Sequence, residues 1–261
     1  MTEADLIYLK KWFADYTRLF YSMNEEDRKN IILKVVHTHN VCGNIVRIAK
    51  ASTLSDNQIK VAETVALFHD VGRFSQYAEY KTFRDADSVN HGLLGSKILA
   101  EKNVLRDLPE NERQLIIEAV KFHNAFAIPN VPDDVLLFLK LIRDADKVDI
   151  YRVFIEYYES PAKDRASATA FGVPDSPGYS GVMLSCIMNR KVASYSDIRT
   201  ENDFRLMKLS WLFDMHFRES IRLLHEKDYI SKIADKLPRT EEILKALEVI
   251  NRYVSERLQN V

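Results

Sequence analysis

Cysteine is nearly absent from this chain, which holds only Cys42 and Cys186. Two isolated thiols cannot build a disulfide framework or a cysteine-based zinc site, a pattern that suits a reducing compartment and leaves both as ordinary core or boundary residues. Long apolar runs are missing too. No stretch approaches the roughly 20 residues that a bilayer span needs, and the amino terminus has no basic stretch followed by an apolar run. The expectation is a soluble, cytoplasmic protein with no membrane partner. Net charge is also lacking: 37 basic against 38 acidic residues leave a formal charge of −1. Without a global field to recruit nucleic acid or an acidic membrane, any anion recognition must be local. Finally, no segment alternates apolar and polar residues with period two between turn signals, so no strand is expected and the fold class is all-α. Repeats, coiled-coil runs and low-complexity tracts are absent.

What is present is helical periodicity. The 261 residues, 46% of them hydrophobic, suffice for a full core. Leu6, Leu9, Phe13, Tyr16 and Phe20 recur at steps of three and four, predicting a first helix that ends near Ser22 to Asn24. A second starts around Glu25 and carries Ile31, Ile32, Val35, Val36, Ile45, Val46 and Ile48, with His37 in its interior. Ser55-Asp56 offers an N-cap for a helix whose carboxyl end Gly72 marks, placing His69-Asp70 on its last turn. Residues 73–90 read as irregular. His91 opens the next helix, another runs from about Pro109 to His123, and a long one from Val135 to about Tyr158 follows the turn at Pro129 and Pro132. The stretch Ser160 to Gly181, rich in proline, glycine and small polar residues, is a loop. Helices near 182–190, 201–226 and 240–258 follow it, the last with Thr240 as N-cap and an apolar stripe of Ile243, Leu247, Ile250 and Val254. That stripe suits either the core or a second copy of the chain, leaving a homo-oligomer open. The predicted organisation is a helical core over 1–159, then a loop and helical extension over 160–261, with one continuous domain as the alternative.

Ionisable residues interrupt the apolar runs at five places: His37, His69-Asp70, His91, His123 and Asp146. An ionisable group placed among apolar positions is costly unless it is paired or metallated. Imidazole nitrogen plus carboxylate oxygen is the ligand set of catalytic transition-metal sites, and one carboxylate can bridge two ions. His39 competes with His37, but two helical positions turn the pair about 200° apart, so one centre cannot take both.

The order His, His-Asp, His, His, Asp resembles the HD-domain superfamily of metal-dependent phosphohydrolases. The resemblance rests on Lys34, His37, Thr38 and Val41 of an opening Lys-x-x-His-Thr-x-x-Val, on His69 to Gly72, and on Asp146-Lys147-Val148-Asp149. It spans roughly residues 31–150. It implies a helical bundle with added carboxyl-terminal helices, and metal ligands His37, His69, Asp70, His91, His123 and Asp146. The two middle histidines imply two divalent ions, and the histidine-rich set points to Mn, Fe, Co, Ni or Zn. The implied activity is hydrolysis of a phosphoester or phosphoanhydride by metal-activated hydroxide, with a nucleotide or another small phosphorylated molecule as the substrate partner. Asn124 to Pro129 lacks the Asp-Gly-x-Gly-Tyr-Pro signature of cyclic-di-GMP phosphodiesterases, so that activity is not expected.

Asp70, Arg73 and Lys147 are the candidate catalytic residues, with Lys81 and Arg84 weighed as further phosphate contacts against solvated loop cations. Asp144 and Asp149 could orient a ligand histidine or pair with Arg143, surface ion pairing being the favoured reading. His39, His216 and His225 fall outside the pattern. Two rivals share the ligand set: mixed-valent di-iron oxygenases of HD type, and a non-catalytic nucleotide sensor. Ser160 to Gly181 is expected to act as a mobile cover hinged at Gly172, Gly178 and Gly181.

Overall fold

The computed structural model describes residues 1–161, 163, 165–167 and 173–259. Among these, every regular element is helical, and no helix is long and apolar enough to cross a membrane. The chain divides into two compact units, Met1–Ile150 with Ser160–Ala170, and Tyr151–Glu159 with Phe171–Val261.

The first unit opens with α1 (Glu3–Arg18), fixed by a Thr2/Asp5 capping box, and α2 (Glu25–Ala51), capped by Asn24. Both satisfy first-turn amides that would otherwise lack partners. α3 (Asp56–Phe68) begins with the expected Ser55 cap, here a full box with Gln58. It stops at Phe68, and a new helix, α4 (Val71–Tyr80), starts two residues later. Residues 73–80 are therefore not irregular as the sequence suggested: Phe74, Gln76 and Tyr77 are buried. Gly72 does not end a helix either. A Cβ there would lie 2.3 Å from the His91 carbonyl oxygen and 2.8 Å from the Gly95 amide nitrogen, so the missing side chain lets α4 touch α5 (His91–Glu101) backbone to backbone.

α6 (Glu110–Phe122) and α7 (Asp133–Glu159) complete the frame. α2 pairs with α3, α4 with α5, and α5 with α6. Ile45, Ile48, Val65, Phe68, Phe74, Ile116, Leu139 and Ile142 fill the interior, and Phe13 of α1 meets Phe68 and Phe74 edge-on. Ile32 and Val36, expected among the apolar positions of α2, are exposed at 42% and 43%. The buried face of α2 is instead the one that carries His37, Thr38 and Val41.

The second unit holds α8 (Gly181–Met188), α9 (Glu201–Ser210), α10 (Arg218–Glu226), α11 (Tyr229–Ala234) and α12 (Glu241–Gln259). The single helix expected over 201–226 is broken by a 3₁₀ turn, Trp211–Asp214. The stripe Ile243, Leu247, Ile250 and Val254 is buried, and α12 packs on α8 and α10. Lys208 is buried with its ammonium 3.6 Å from the Trp211 ring centre and 4.9 Å from that of Phe204, where aromatic faces offset its desolvation.

The expected cover falls partly on residues outside the described ones, Gly172 among them. Its described parts are held. Lys29 donates to the Lys163 carbonyl and the Ser167 amide to Glu26. Further on, Thr200 and Asn202 donate to the Gly178 carbonyl, and Asp203 accepts from the amide and hydroxyl of Ser180.

Candidate metal centre

Four helix ends and two helix interiors of the first unit converge on one buried point. Consecutive residues of a continuous helix point about 100° apart, so His69 and Asp70 could not face one centre from within one. The junction solves this. His69 is the C-cap of α3, and Asp70, with φ −102° and ψ 13°, is the residue from which α4 starts. His91 is the first residue of α5, behind its Asn90 cap, and His123 is the C-cap of α6. His37 comes from the middle of α2, and Asp146 and Asp149 lie three apart on one face of α7.

Asp70 is the hub. Its Oδ2 lies 3.7 Å from Nε2 of both His37 and His69, and its Oδ1 lies 3.3 Å from Nε2 of His91 and 3.9 Å from Nε2 of His123. The histidines pair accordingly, with Nε2 atoms 3.4 Å apart for His37 and His69 and 3.0 Å apart for His91 and His123. Asp146 Oδ1 joins the first pair, 3.0 Å from His37 and 3.7 Å from His69. Donors held about 2.1 Å from one cation stand roughly 3.0–3.5 Å from each other, close to these spacings. Two groups of metal-binding geometry result, His37–His69–Asp70 and Asp70–His91–His123.

The donor chemistry fits a cation. Each ring is turned so that Nδ1–H donates outward, from His37 to Asp149 at 2.6 Å, His69 to the Ala66 carbonyl at 2.7 Å, His91 to Asp85 at 2.7 Å and His123 to the Val120 carbonyl at 2.7 Å. Carboxylates and carbonyls only accept, which leaves Nε2 as the inward atom of every ring. For His91 and His123, two lone pairs then face each other at 3.0 Å, a repulsion that a shared cation removes.

Electrostatics agree. Burial, helped by the Arg73 cation, pushes His91 down to about 4, and burial pushes His123 down to about 3 and also lowers His69, so these rings are neutral and ready to ligate. His37 is the exception. Burial lowers it too, but Asp146 and Asp149 outweigh that and raise it to about 9. Burial would raise Asp70, yet Lys34 and Arg73 hold it ionised well below the usual carboxylate range. Lys34 donates to Asp70 Oδ2 at 2.7 Å, with its ammonium 5.1 Å from the Phe83 ring centre.

The structure thus brings together all six residues expected as ligands. Arg73 is beside them, but its NH1 donates to Asp85 at 2.7 Å and to Gln76 and the Phe83 carbonyl, while its Nε sits 3.5 Å from Asp70 Oδ1. Lys147 follows Asp146 on α7, about 100° around the helix, and is half-buried. Lys81 pairs with Asp27 and Arg84 with Asp87, both exposed, which fits their reading as solvated cations. His39 is exposed and packs against Phe13. Surface ion pairing does not describe Asp144 and Asp149: both are buried, and Asp149 orients His37. Lys34, which the opening motif includes without a role at the site, and Asp85, which the sequence does not single out, are further site residues. Lys34 stands three positions before His37, on the same helix face, which is the signal that could have found it. Asp85 has no such spacing.

Residues 35–151 match the family model of the HD domain, a stretch that contains all six converging residues together with Asp85 and Asp149. Over that stretch the chain is similar to the HD domain. Neither a curated protein nor a solved structure is significantly similar to it. The HD match and the His/Asp clusters agree on a site suited to divalent metal. Within the matched stretch, Arg143 braces the turn that carries His123, donating from NH1 to the His123 and Ala125 carbonyls.

Proposed function

We propose that this chain is a metal-dependent phosphohydrolase that cleaves a phosphoester or phosphoanhydride bond in a small phosphorylated molecule, nucleotides included. One observation carries the reading: a buried Asp70 presents one carboxylate oxygen to each of two histidine pairs. The ligands we assign are His37, His69, Asp70 and Asp146 on one side and His91, His123 and Asp70 on the other. Two divalent cations held there would supply Lewis acidity toward a phosphoryl oxygen and ionise a water at neutral pH. Histidine-rich donors favour Mn, Fe, Co, Ni or Zn over Mg.

The chain's own residues do the rest. Asp70, kept ionised by Lys34 and Arg73, fixes the separation of the two halves of the centre. Asp149 and the Ala66 and Val120 carbonyls hold their rings in the tautomer whose Nε2 can ligate. Lys34, 15% exposed and directed at Asp70, is the cation best placed to meet an incoming phosphoryl oxygen, ahead of Arg73, whose NH1 is committed to Asp85. Lys147, adjacent to Asp146, adds positive charge to the same stretch of α7. No serine or cysteine nucleophile is required.

The test is a panel of nucleotides, sugar phosphates and para-nitrophenyl phosphate, offered to protein loaded with each metal in turn. Phosphate release that needs metal and disappears in Asp70→Ala supports the reading. Oxygen consumption without phosphate release would move the chain to the di-iron oxygenases, and nucleotide binding without turnover would make it a sensor.

A further inference from the structure

Asp85 lies in the loop between α4 and α5, six residues before His91 and outside the ligand pattern, and three elements meet on its carboxylate. Oδ1 accepts from Arg73 NH1 at 2.7 Å and from Gln76 Nε2 at 3.0 Å, both on α4. Oδ2 accepts from Asn124 Nδ2 at 3.0 Å, just past α6, and His91 Nδ1 of α5 donates to the same carboxylate at 2.7 Å. Gln76 further donates to Ser88 Oγ and the Val89 carbonyl, so the loop is tied to α4 along its length. The two halves of the centre are supported differently. His37, on one side, is oriented by Asp149 from within helix α7, whereas His91, on the other, is oriented by a loop carboxylate.

We propose that Asp85 is the positioning residue of the His91–His123 half, setting that half's metal affinity without acting on the His37–His69 half. The inference rests on the two-metal reading above. A carboxylate behind a ligating imidazole fixes its tautomer and ring angle and raises its basicity, and losing such a partner costs about 10- to 100-fold in metal affinity. Asn at 85 keeps the size but cannot accept from His91, Arg73, Gln76 and Asn124 together.

The experiment is calorimetric titration of chelator-treated protein with Mn²⁺, with Mn²⁺ paramagnetic resonance to distinguish coupled pairs from single ions. Wild type is expected to bind two equivalents and give a coupled signal. Asp85→Asn is expected to keep one equivalent at wild-type affinity, weaken the other about 10- to 100-fold and give a single-ion signal at one equivalent. Asp149→Asn is expected to weaken the opposite equivalent. His91→Ala is the reference for outright loss. If Asp85→Asn binds both equivalents as wild type does, or weakens both alike, the assignment is overturned. Should that variant fail to fold, Asn124→Ala, which removes one donor from the Asp85 carboxylate, is expected to weaken the same equivalent a few-fold, and unchanged binding there overturns it equally. Failure of the two-metal reading looks different: wild type itself would bind one equivalent.

Discussion

At the scale of single residues, the centre is built from side chains that do unequal work. Asp70→Ala removes the only carboxylate among the described residues that reaches both histidine pairs, so both metal equivalents and more than a hundredfold of hydrolysis should be lost while the helices persist. Metal analysis, turnover and circular dichroism together check this. His39→Ala should be mild by the same measures, because His39 is exposed and rests against Phe13. Lys34→Met should lower kcat/KM by about 10- to 100-fold, the worth of one hydrogen bond to a charged group at about 1.5–3 kcal/mol, with two equivalents of metal retained. The six residues proposed as ligands stand out in the sequence because imidazoles and carboxylates among apolar positions have few inexpensive explanations. Asp149 is harder to read. Its sequence neighbourhood of Arg143, Asp144 and Lys147 suits a solvated helix face, and only the packing of α7 against α2 shows that the carboxylate is buried behind His37.

At the scale of helices, the informative places are junctions, and these are where sequence periodicity carries least. Glycine commonly ends helices, so Gly72 reads as a stop. It sits instead inside the first turn of α4, where the cost of glycine is offset by the contact it permits with the α5 backbone. Gly72→Ala should therefore destabilise the protein, by about 1–3 kcal/mol on the scale of overpacked sites, and shift His91 enough to weaken one metal equivalent. Urea unfolding and metal titration check the two effects. Residues 73–80 do not read as helical because their buried face includes Gln76, a polar residue whose amide is fully used by Asp85, Ser88 and Val89. The break at Trp211–Asp214 is equally hidden, since no glycine or proline marks it. Long periodic stretches such as α2, α6 and α7 are legible to within a few residues.

At the scale of the whole molecule, the centre couples metal, protons and stability, and the sign of each coupling follows from which histidines are charged. In metal-free protein near neutrality, His69, His91 and His123 are neutral, while His37, raised to about 9 by Asp146 and Asp149, carries a proton. His91 and His123 bind protons more readily unfolded than folded. Their contribution is thus present above about 6.5 and is lost as pH falls toward about 4 and about 3. Each tenfold difference in proton affinity between the unfolded and folded chain is worth about 1.4 kcal/mol. His37 acts in the opposite sense: its contribution is present below about 6.5 and is lost as pH rises through about 9. Metal requires His37 neutral, so at pH 7 loading must expel that proton, and the neutral rings have none to give. Calorimetry in buffers of different ionisation enthalpy should find about one proton released from the histidines per chain on loading, beyond the one given up by the metal-bound water, and the histidine part of the pH dependence, about tenfold in affinity per pH unit, should level near pH 9. Metal at a hundred times its dissociation constant should add about 2.7 kcal/mol to the unfolding free energy for each ion bound, which chelator removes. Four ordinary histidines would release about one proton as well, but in fractions, and their affinity would level near pH 6.5. A plateau beginning there, rather than near 9, would show that Asp146 and Asp149 do not hold His37 charged in the metal-free protein.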